Sequence, residues 1–407
     1  MAVDTIIRVI DVQAATEGCK VVYAVEDTET LCLWEGTPPK TGDVFVIDTQ
    51  NPGKGARKLG EAAEGSWTAG NDALRWRKPV TPGGVSRMEI LRRRHIIRRA
   101  VRGFLDQQGF MEIDAPLLVR GASPDLAVGA FGVGDRYLVS STEYQLKRMA
   151  IGGFTRLYSL TQNFRKGDSN GRYRNPEFTM LEWGRVGGDM RQIEDDVEIM
   201  VAQALDQLGL WSTITYQGQE INLARPWEKL SVLAAIERFT GIAVNDFDVA
   251  SCRKAAEAAG MEIREDWANN RDFLFSLLMD HIQPQLGREH PVFLTEWPMF
   301  QTTSATADAT DPTLANRSEL FIAGIELSDG FAGLADVALQ TQFINHALSL
   351  RASAGQEVVA LDEKYLAAMR LGAPYGAGMA LGFDRLVMLL TDQSHIDNVL
   401  AFGWDEL

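Results

Sequence analysis

Residues 172–184 read RYRNPEFTMLEWG, and the period of this stretch decides the fold. Its second half alternates, so that Phe178, Met180, Glu182 and Gly184 share one face of a strand. With the segment before it, the stretch makes two strands joined by the polar loop 166–174. Working outward, a helix runs from Ser86 through Gln107, strand-like segments continue to Glu182, and helices follow near 189–209. The chain closes on AGMALGFDRLVMLL at 377–390, where an apolar helical pattern begins at Asp384. Gly376, Gly378 and Gly382 fit neither a phosphate-binding loop nor a dinucleotide fingerprint. The pattern from 87 to 407 is therefore α+β, an antiparallel sheet with flanking helices.

Residues 1–78 read differently. Segments 5–12, 20–25, 30–34 and 43–48 are rich in β-branched and aromatic residues, and a fifth strand is expected at 73–77. The stretch 51–71 is polar and glycine-rich and reads as a long loop. Five short strands predict a small β-barrel of the oligonucleotide-binding (OB) type. Residues 79–86, with Pro82, Gly83 and Gly84, form the expected linker. A length of 407 residues agrees with two folding units.

The composition narrows the function classes. A hydrophobic share of 45% and a charged share of 23% describe a globular chain rather than a disordered one. No apolar run approaches the roughly 20 residues that span a bilayer, and the first residues lack the features of a signal peptide. No membrane role and a cytoplasmic location are expected. Cys19, Cys32 and Cys252 form no CxxC pair, which speaks for packing residues rather than a disulfide or zinc framework. A net charge of −15 argues against a broadly nucleic-acid-binding surface. The run Arg92, Arg93, Arg94, Arg98, Arg99 and Arg102 is a local exception, and reads more readily as a solvated helix face.

Three segments then take on meaning in order. They are FLDQQGFMEIDAPLL at 104–118, the strand pair with RYRNPEFTMLEWG, and MALGFDRLVML at 379–389. Together with SELFIAGIELSDG at 318–330, they resemble the class II lysyl-tRNA synthetases, in particular the short paralogues that attach lysine or β-lysine to elongation factor P. The resemblance covers roughly 86–407 and implies a class II synthetase-like catalytic domain. It also implies ATP and Mg²⁺, an aminoacyl-adenylate, and a homodimer with the element ending at Pro116 in its interface.

By that resemblance Arg165 stabilises the α-phosphate, a role suited to a planar guanidinium. Phe178 stacks on adenine, Asn175 lies beside the base, and Arg385 holds the γ-phosphate near a positive helix end. On residue types alone, Arg165 is equally a surface ion-pair partner and Phe178 a core residue. The loop departs from the family: FRxE becomes Phe164, Arg165, Lys166, Gly167, with Asp168 next, and Arg174 stands where histidine is usual. Asp168 is the candidate replacement for the missing glutamate. If Ala323 and Gly324 form a two-residue turn, residue 321 faces 326 and Glu319 becomes a diagonal neighbour of Glu326, a pair that the family uses for magnesium. The alternative is an exposed acidic hairpin.

The amino-acid pocket departs most. Glu143 and Glu182 match the family acids near the substrate amino group. The tyrosine and glutamate that hold the lysine terminal amine become Gly184 and Gly333, and the preceding asparagine becomes Asp329. Ala380 stands where the synthetases carry glycine and the elongation factor P ligases alanine. A buried ammonium without its carboxylate costs several kcal/mol, so a wider pocket that disfavours lysine is expected. The readings are a ligase acting on an elongation factor P-like protein or a small molecule, a tRNA ligase, or a non-catalytic sensor. The short, charge-balanced N-terminal domain favours the first, and the retained phosphate apparatus opposes the last.

Overall fold

The computed structural model describes all residues except 1–3, 15–18, 26–27, 36, 42, 49, 63–75, 78–79, 81–83, 126–127, 169–170, 266, 303 and 407. The chain divides into two compact units, Met1–Arg93 and Arg94–Leu407. In the first, β1 (Asp4–Ala14), β2 (Cys19–Val25), β3 (Thr28–Trp34), β4 (Val44–Asp48) and β5 (Arg57–Gly60) form a five-stranded sheet in the order β3-β2-β1-β4-β5. Ile7, Val9, Val21, Tyr23, Trp34, Phe45 and Ile47 bury its inner face, as strict alternation along β1, β2 and β4 requires. This is the OB-like region. Its fifth strand lies inside the stretch read as loop, because Lys58 and Arg57 pair with Phe45 and Val46. Of the segment 73–77, residues 73–75 lie outside the described residues, as do 79 and 81–83 of the segment 79–86.

The second unit begins within α1 (Arg87–Gln107) and continues through β6 (Met111–Glu112), followed by a small sheet of β7 (Leu118–Val119), β8 (Gly132–Val133) and β9 (Arg136–Leu138). Helix α2 (Glu143–Ile151) precedes β10 (Arg156–Phe164) and β11 (Glu177–Val186). Next come α3 (Met190–Gln207), started by the Asp189 and Gln192 capping box, and the hairpin β12 (Thr213–Tyr216) with β13 (Gln219–Asn222). Strand β14 (Glu228–Ser231) leads into α4 (Val232–Thr240), α5 (Val249–Ala258) and α6 (Arg271–Ile282). These helices bury Ile236, Cys252, Leu274 and Phe275 in one core with Leu294 and Phe321 of the sheet. Strands β15 (Val292–Pro298), β16 (Leu314–Ile322) and β17 (Ile325–Ala332), helices α7 (Val337–Ser353) and α8 (Glu363–Met369), strand β18 (Gly376–Gly382) and helix α9 (Phe383–Leu390) complete it.

The main sheet has eight strands in the order β14-β15-β16-β17-β18-β11-β10-β6. It is antiparallel except at its ends, where β14 runs parallel to β15 and β6 to β10. The β16–β17 turn uses Ala323 and Gly324, both at positive φ, and a Cβ at Gly324 would stand 2.4 Å from the Pro284 carbonyl oxygen. Only glycine fits there. Phe321 faces Glu326 as expected, but a bulge then inserts Leu327, so Glu319 faces Asp329 rather than residue 328.

The arginine run is not a free basic face. Arg93 pairs with Glu89 at 2.9 Å, and Arg102 donates to Glu112 through both Nε and Nη2. Arg94 is nearly buried, 2.5 Å from Asp384, and also donates to Thr179. All three cysteines are free. Among the described residues no helix is long and apolar enough to cross a membrane.

Candidate active site

The sheet register brings distant parts of the chain to one cavity of about 320 Å³. Ala380 on β18 pairs with Glu182 on β11 on one side and with Asp329 on β17 on the other. Gly184 pairs with Gly378, and the Gly333 N–H donates to the Gly376 carbonyl at 2.9 Å just past the end of β17. Helix α2 contributes Glu143 and Lys147, and Arg165 closes the end nearest Phe178. Thus Glu143, Arg165, Glu182, Gly184, Asp329, Gly333 and Ala380 line one space.

Glu182 is buried and fully engaged. It accepts from Ser141 Oγ and the Thr142 N–H, each at 2.6 Å, and from Thr142 Oγ1. Burial raises its carboxyl above the ordinary value, the bonds from Ser141 and Thr142 oppose this, and Glu143 adds to the rise. Its structural effect is to fix the turn that starts α2. Glu143 in turn accepts from Lys147 Nζ at 2.6 Å, and the Lys147 ammonium lies 5.1 Å from the Phe331 ring centre.

Arg317 was not singled out by sequence, yet it organises the next part of the cavity. Its Nε donates to Asp329 at 2.9 Å, Nη2 to Glu319 at 2.5 Å and Nη1 to the Gln301 carbonyl at 2.8 Å. The guanidinium also lies over Trp297. Burial works against its charge, but Asp329 and Glu319 outweigh that and hold it above its ordinary value. The Arg-x-Glu spacing of 317 and 319 was the available signal, since alternate residues share a face. Asp329 is thereby paired with Arg317.

Glu319 is 4% exposed, and its Oε2 has no hydrogen-bond partner among the described residues. Burial lifts its carboxyl well above the usual range, Arg317 opposes this, and Asp329 and Glu326 add to the rise. One guanidinium thus serves two carboxylates with a third nearby. That imbalance favours a further cation.

A second cavity, of about 450 Å³, is lined by Asp168, Arg174, Glu326 and Arg385 among others. Arg385, in the first turn of α9, donates to the Tyr173 carbonyl at 3.2 Å and the Glu326 carbonyl at 2.6 Å, with the Glu326 carboxylate 3.6 Å away. Arg174 donates to Asp168 at 3.3 Å. Arg165 lies over the Phe178 ring at 5.2 Å and has no ion-pair partner among the described residues. The Asn175 side chain is bound to backbone, donating to the Glu177 carbonyl and accepting from the Trp404 N–H.

Among the described residues no group of three or more His, Cys, Asp or Glu is arranged to hold a metal by itself. Mg²⁺ bound with a nucleotide needs only one or two carboxylates beside phosphate oxygens. The unpartnered Glu319 oxygen and the half-exposed Glu326 fit that requirement.

The family model for class II tRNA synthetases (D, K and N) matches residues 84–406. The lysine–tRNA ligase of Chloroflexus aurantiacus is 33% identical over 324 residues, which are 78% of this chain and 65% of that protein. The corresponding enzyme of Carboxydothermus hydrogenoformans is 34% identical, over 77% of this chain and 64% of its own length. The elongation factor P–(R)-beta-lysine ligase of Edwardsiella ictaluri is 32% identical over 77% of this chain and 95% of its own. The chain therefore spans just under two thirds of the two lysine–tRNA ligases and nearly all of the β-lysine ligase.

Proposed function

This chain belongs to the class II tRNA synthetases of the D, K and N family, and from that premise we propose that it activates an amino acid with ATP as the aminoacyl-adenylate and passes it to an acceptor. The observation that carries this reading is Arg165, which has no ion-pair partner among the described residues, lies over the Phe178 ring and lines the cavity that also holds Glu182, Arg317 and Asp329. A guanidinium placed so can meet the charge that develops on phosphorus in the transition state.

In the reaction the substrate carboxylate attacks the α-phosphorus in line. The new carboxylate–phosphorus bond forms as the bond to the bridging oxygen breaks, and pyrophosphate leaves. Arg165 donates to the non-bridging oxygens, and Phe178 offers its other face to adenine. Arg385 reaches the γ-phosphate from the first turn of α9, where the helix dipole adds positive potential. Glu143 and Glu182 frame the amino-group end, the latter by fixing the start of α2. Glu319 and Glu326 would hold magnesium, which neutralises the phosphates and orients the leaving group. Asp168 is a poor stand-in for a base-contacting glutamate while it is bound to Arg174.

The acceptor proposed is a protein or small molecule rather than tRNA; the protein-modifying relative and the tRNA ligases align with 77–78% of this chain alike. Met111, Leu117 and Leu118 are all exposed in the segment that resembles the family's dimer interface, which supports a homodimer. The test is ATP–pyrophosphate exchange across proteinogenic and β-amino acids, followed by trials with candidate acceptors. Exchange with at least one amino acid is expected, and none with any would remove the reading.

A further inference from the structure

Four glycines border the far half of the main cavity, and two of them are explained by backbone packing. A Cβ at Gly376 would stand 2.4 Å from the Arg185 carbonyl oxygen, and one at Gly378 would stand 2.8 Å from that of Trp183. No side chain fits at either place without moving the sheet. Gly184 and Gly333 are different. A Cβ at Gly184 would meet nothing nearer than the Ala377 carbonyl oxygen at 3.5 Å, and one at Gly333 nothing nearer than Lys147 Cε at 3.6 Å. Both distances are ordinary van der Waals contact, and neither residue has a positive φ. The sheet does not require glycine there, so the space belongs to what the cavity holds.

That space continues. The lining follows β11 from Met180 to Val186, about 20 Å of strand. Around and past Gly184 the lining includes Ile151, Phe154, Leu157, Met369 and Pro374, with Thr155 and the Asp196-paired Arg185 as polar members and no acid among them. The acids nearer the reacting end are spoken for: Glu143 by Lys147, Glu182 by Ser141 and Thr142, and Asp329 by Arg317. Asp125, the remaining acid of the lining, is exposed to solvent. A substrate ammonium near Gly333 would meet a cation instead, since Lys147 Nζ lies 3.8 Å from where a Gly333 side chain would begin. A substrate carboxylate gains nothing either, because that ammonium is already paired with Glu143.

Resting on the adenylation reading, we propose that the activated amino acid carries an uncharged, largely apolar side chain longer than lysine's four-methylene stem. Its reacting end lies between Arg165 and Glu182, its stem crosses the bare backbone at Gly184 and Gly333, and its far end packs on Phe154 and Met369. Burial of each added methylene against those walls supplies the discrimination.

The test is ATP–pyrophosphate exchange with lysine, β-lysine, alanine, phenylalanine, norleucine, Nε-acetyl-lysine and Nε-benzyloxycarbonyl-lysine. The two acylated lysines should exceed lysine in kcat/KM by about 10–200-fold, the range that one or a few apolar contacts give. Gly184→Val and Gly333→Leu should each shift the optimum toward shorter side chains. A best substrate no longer than lysine, or an optimum unmoved by both variants, would overturn the proposal. If no amino acid supports exchange, the adenylation reading falls, and calorimetric titration with the same series then decides the pocket alone. Tighter binding of the acylated lysines upholds it, and equal or tighter binding of lysine overturns it.

Discussion

Arg165, Arg317 and Arg385 define one end of the site by charge, whereas Gly184 and Gly333 define the other by leaving space. At the first end, guanidinium groups and carboxylates are held in place by one another and by backbone carbonyls, as with Arg317 between Asp329 and Glu319. At the second, apolar side chains make up much of the lining, Lys147 is paired with Glu143, and the backbone is bare where side chains would fit. The contrast suggests how such a catalytic domain can keep its reaction while changing its substrate. Charges that meet phosphate must stay at fixed distances, but a side-chain pocket can be recut by removing atoms.

The comparison is broken most severely by loosening the charged end. Arg94 and Asp384 form a nearly buried pair that ties α1 to the first turn of α9 and to Thr179 beside Phe178. Arg94→Ala strands the Asp384 carboxylate and is expected to cost about 3–5 kcal/mol of stability in denaturant melts. An unchanged midpoint would mean that the pair is solvated. Next comes Arg165→Ala, for which pyrophosphate exchange should fall about 10²–10³-fold with every active amino acid and with little change in the melt. Intact exchange would remove Arg165 from the chemistry.

Filling the spacious end should act on choice rather than on chemistry. Gly184→Tyr with Gly333→Glu introduces the pattern that the resemblance implies for lysine enzymes, and should raise lysine-dependent exchange while lowering use of the native amino acid. A change of about 10-fold or more in the ratio of the two is expected. A ratio that does not move would show that selectivity lies elsewhere. The smallest effect concerns Glu182, whose carboxyl burial holds above its ordinary value of 4.5. Such a group contributes stability that is complete below the unfolded-chain value and is lost as pH rises through the folded one. Glu182→Gln should therefore flatten that part of the stability-versus-pH curve in thermal melts. An unaltered slope would place its source in another residue.

At the charged end, the strand period and the turn at Ala323 and Gly324 are local signals legible in sequence, whereas the roles expected of Arg165 and Arg385 rest on the family resemblance. The places of Phe178, Glu182 and Gly184 along β11 follow from alternation alone. What escaped depends on contacts between remote segments. The Arg94 and Asp384 pair joins the first helix of the catalytic region to its last, so the arginine run looked like a solvated face. The extra residue at Leu327 moved Asp329 opposite Glu319, and no propensity announces a bulge. Arg317 could have been suspected from its spacing to Glu319, but its grip on Asp329 needed the register. In the N-terminal unit, the strand Arg57–Gly60 hid in a glycine-rich stretch because its apolar content is low.

The adenylate itself tests the account most directly. The protein is incubated with Mg²⁺–ATP, pyrophosphatase and a mixed amino-acid pool, and the quenched products are separated and weighed by mass spectrometry. The account predicts AMP and an aminoacyl-adenylate, both lost when Mg²⁺ is chelated or when Glu319→Gln and Glu326→Gln are combined. ADP as the nucleotide product, or ATP left untouched with every amino acid, would contradict it.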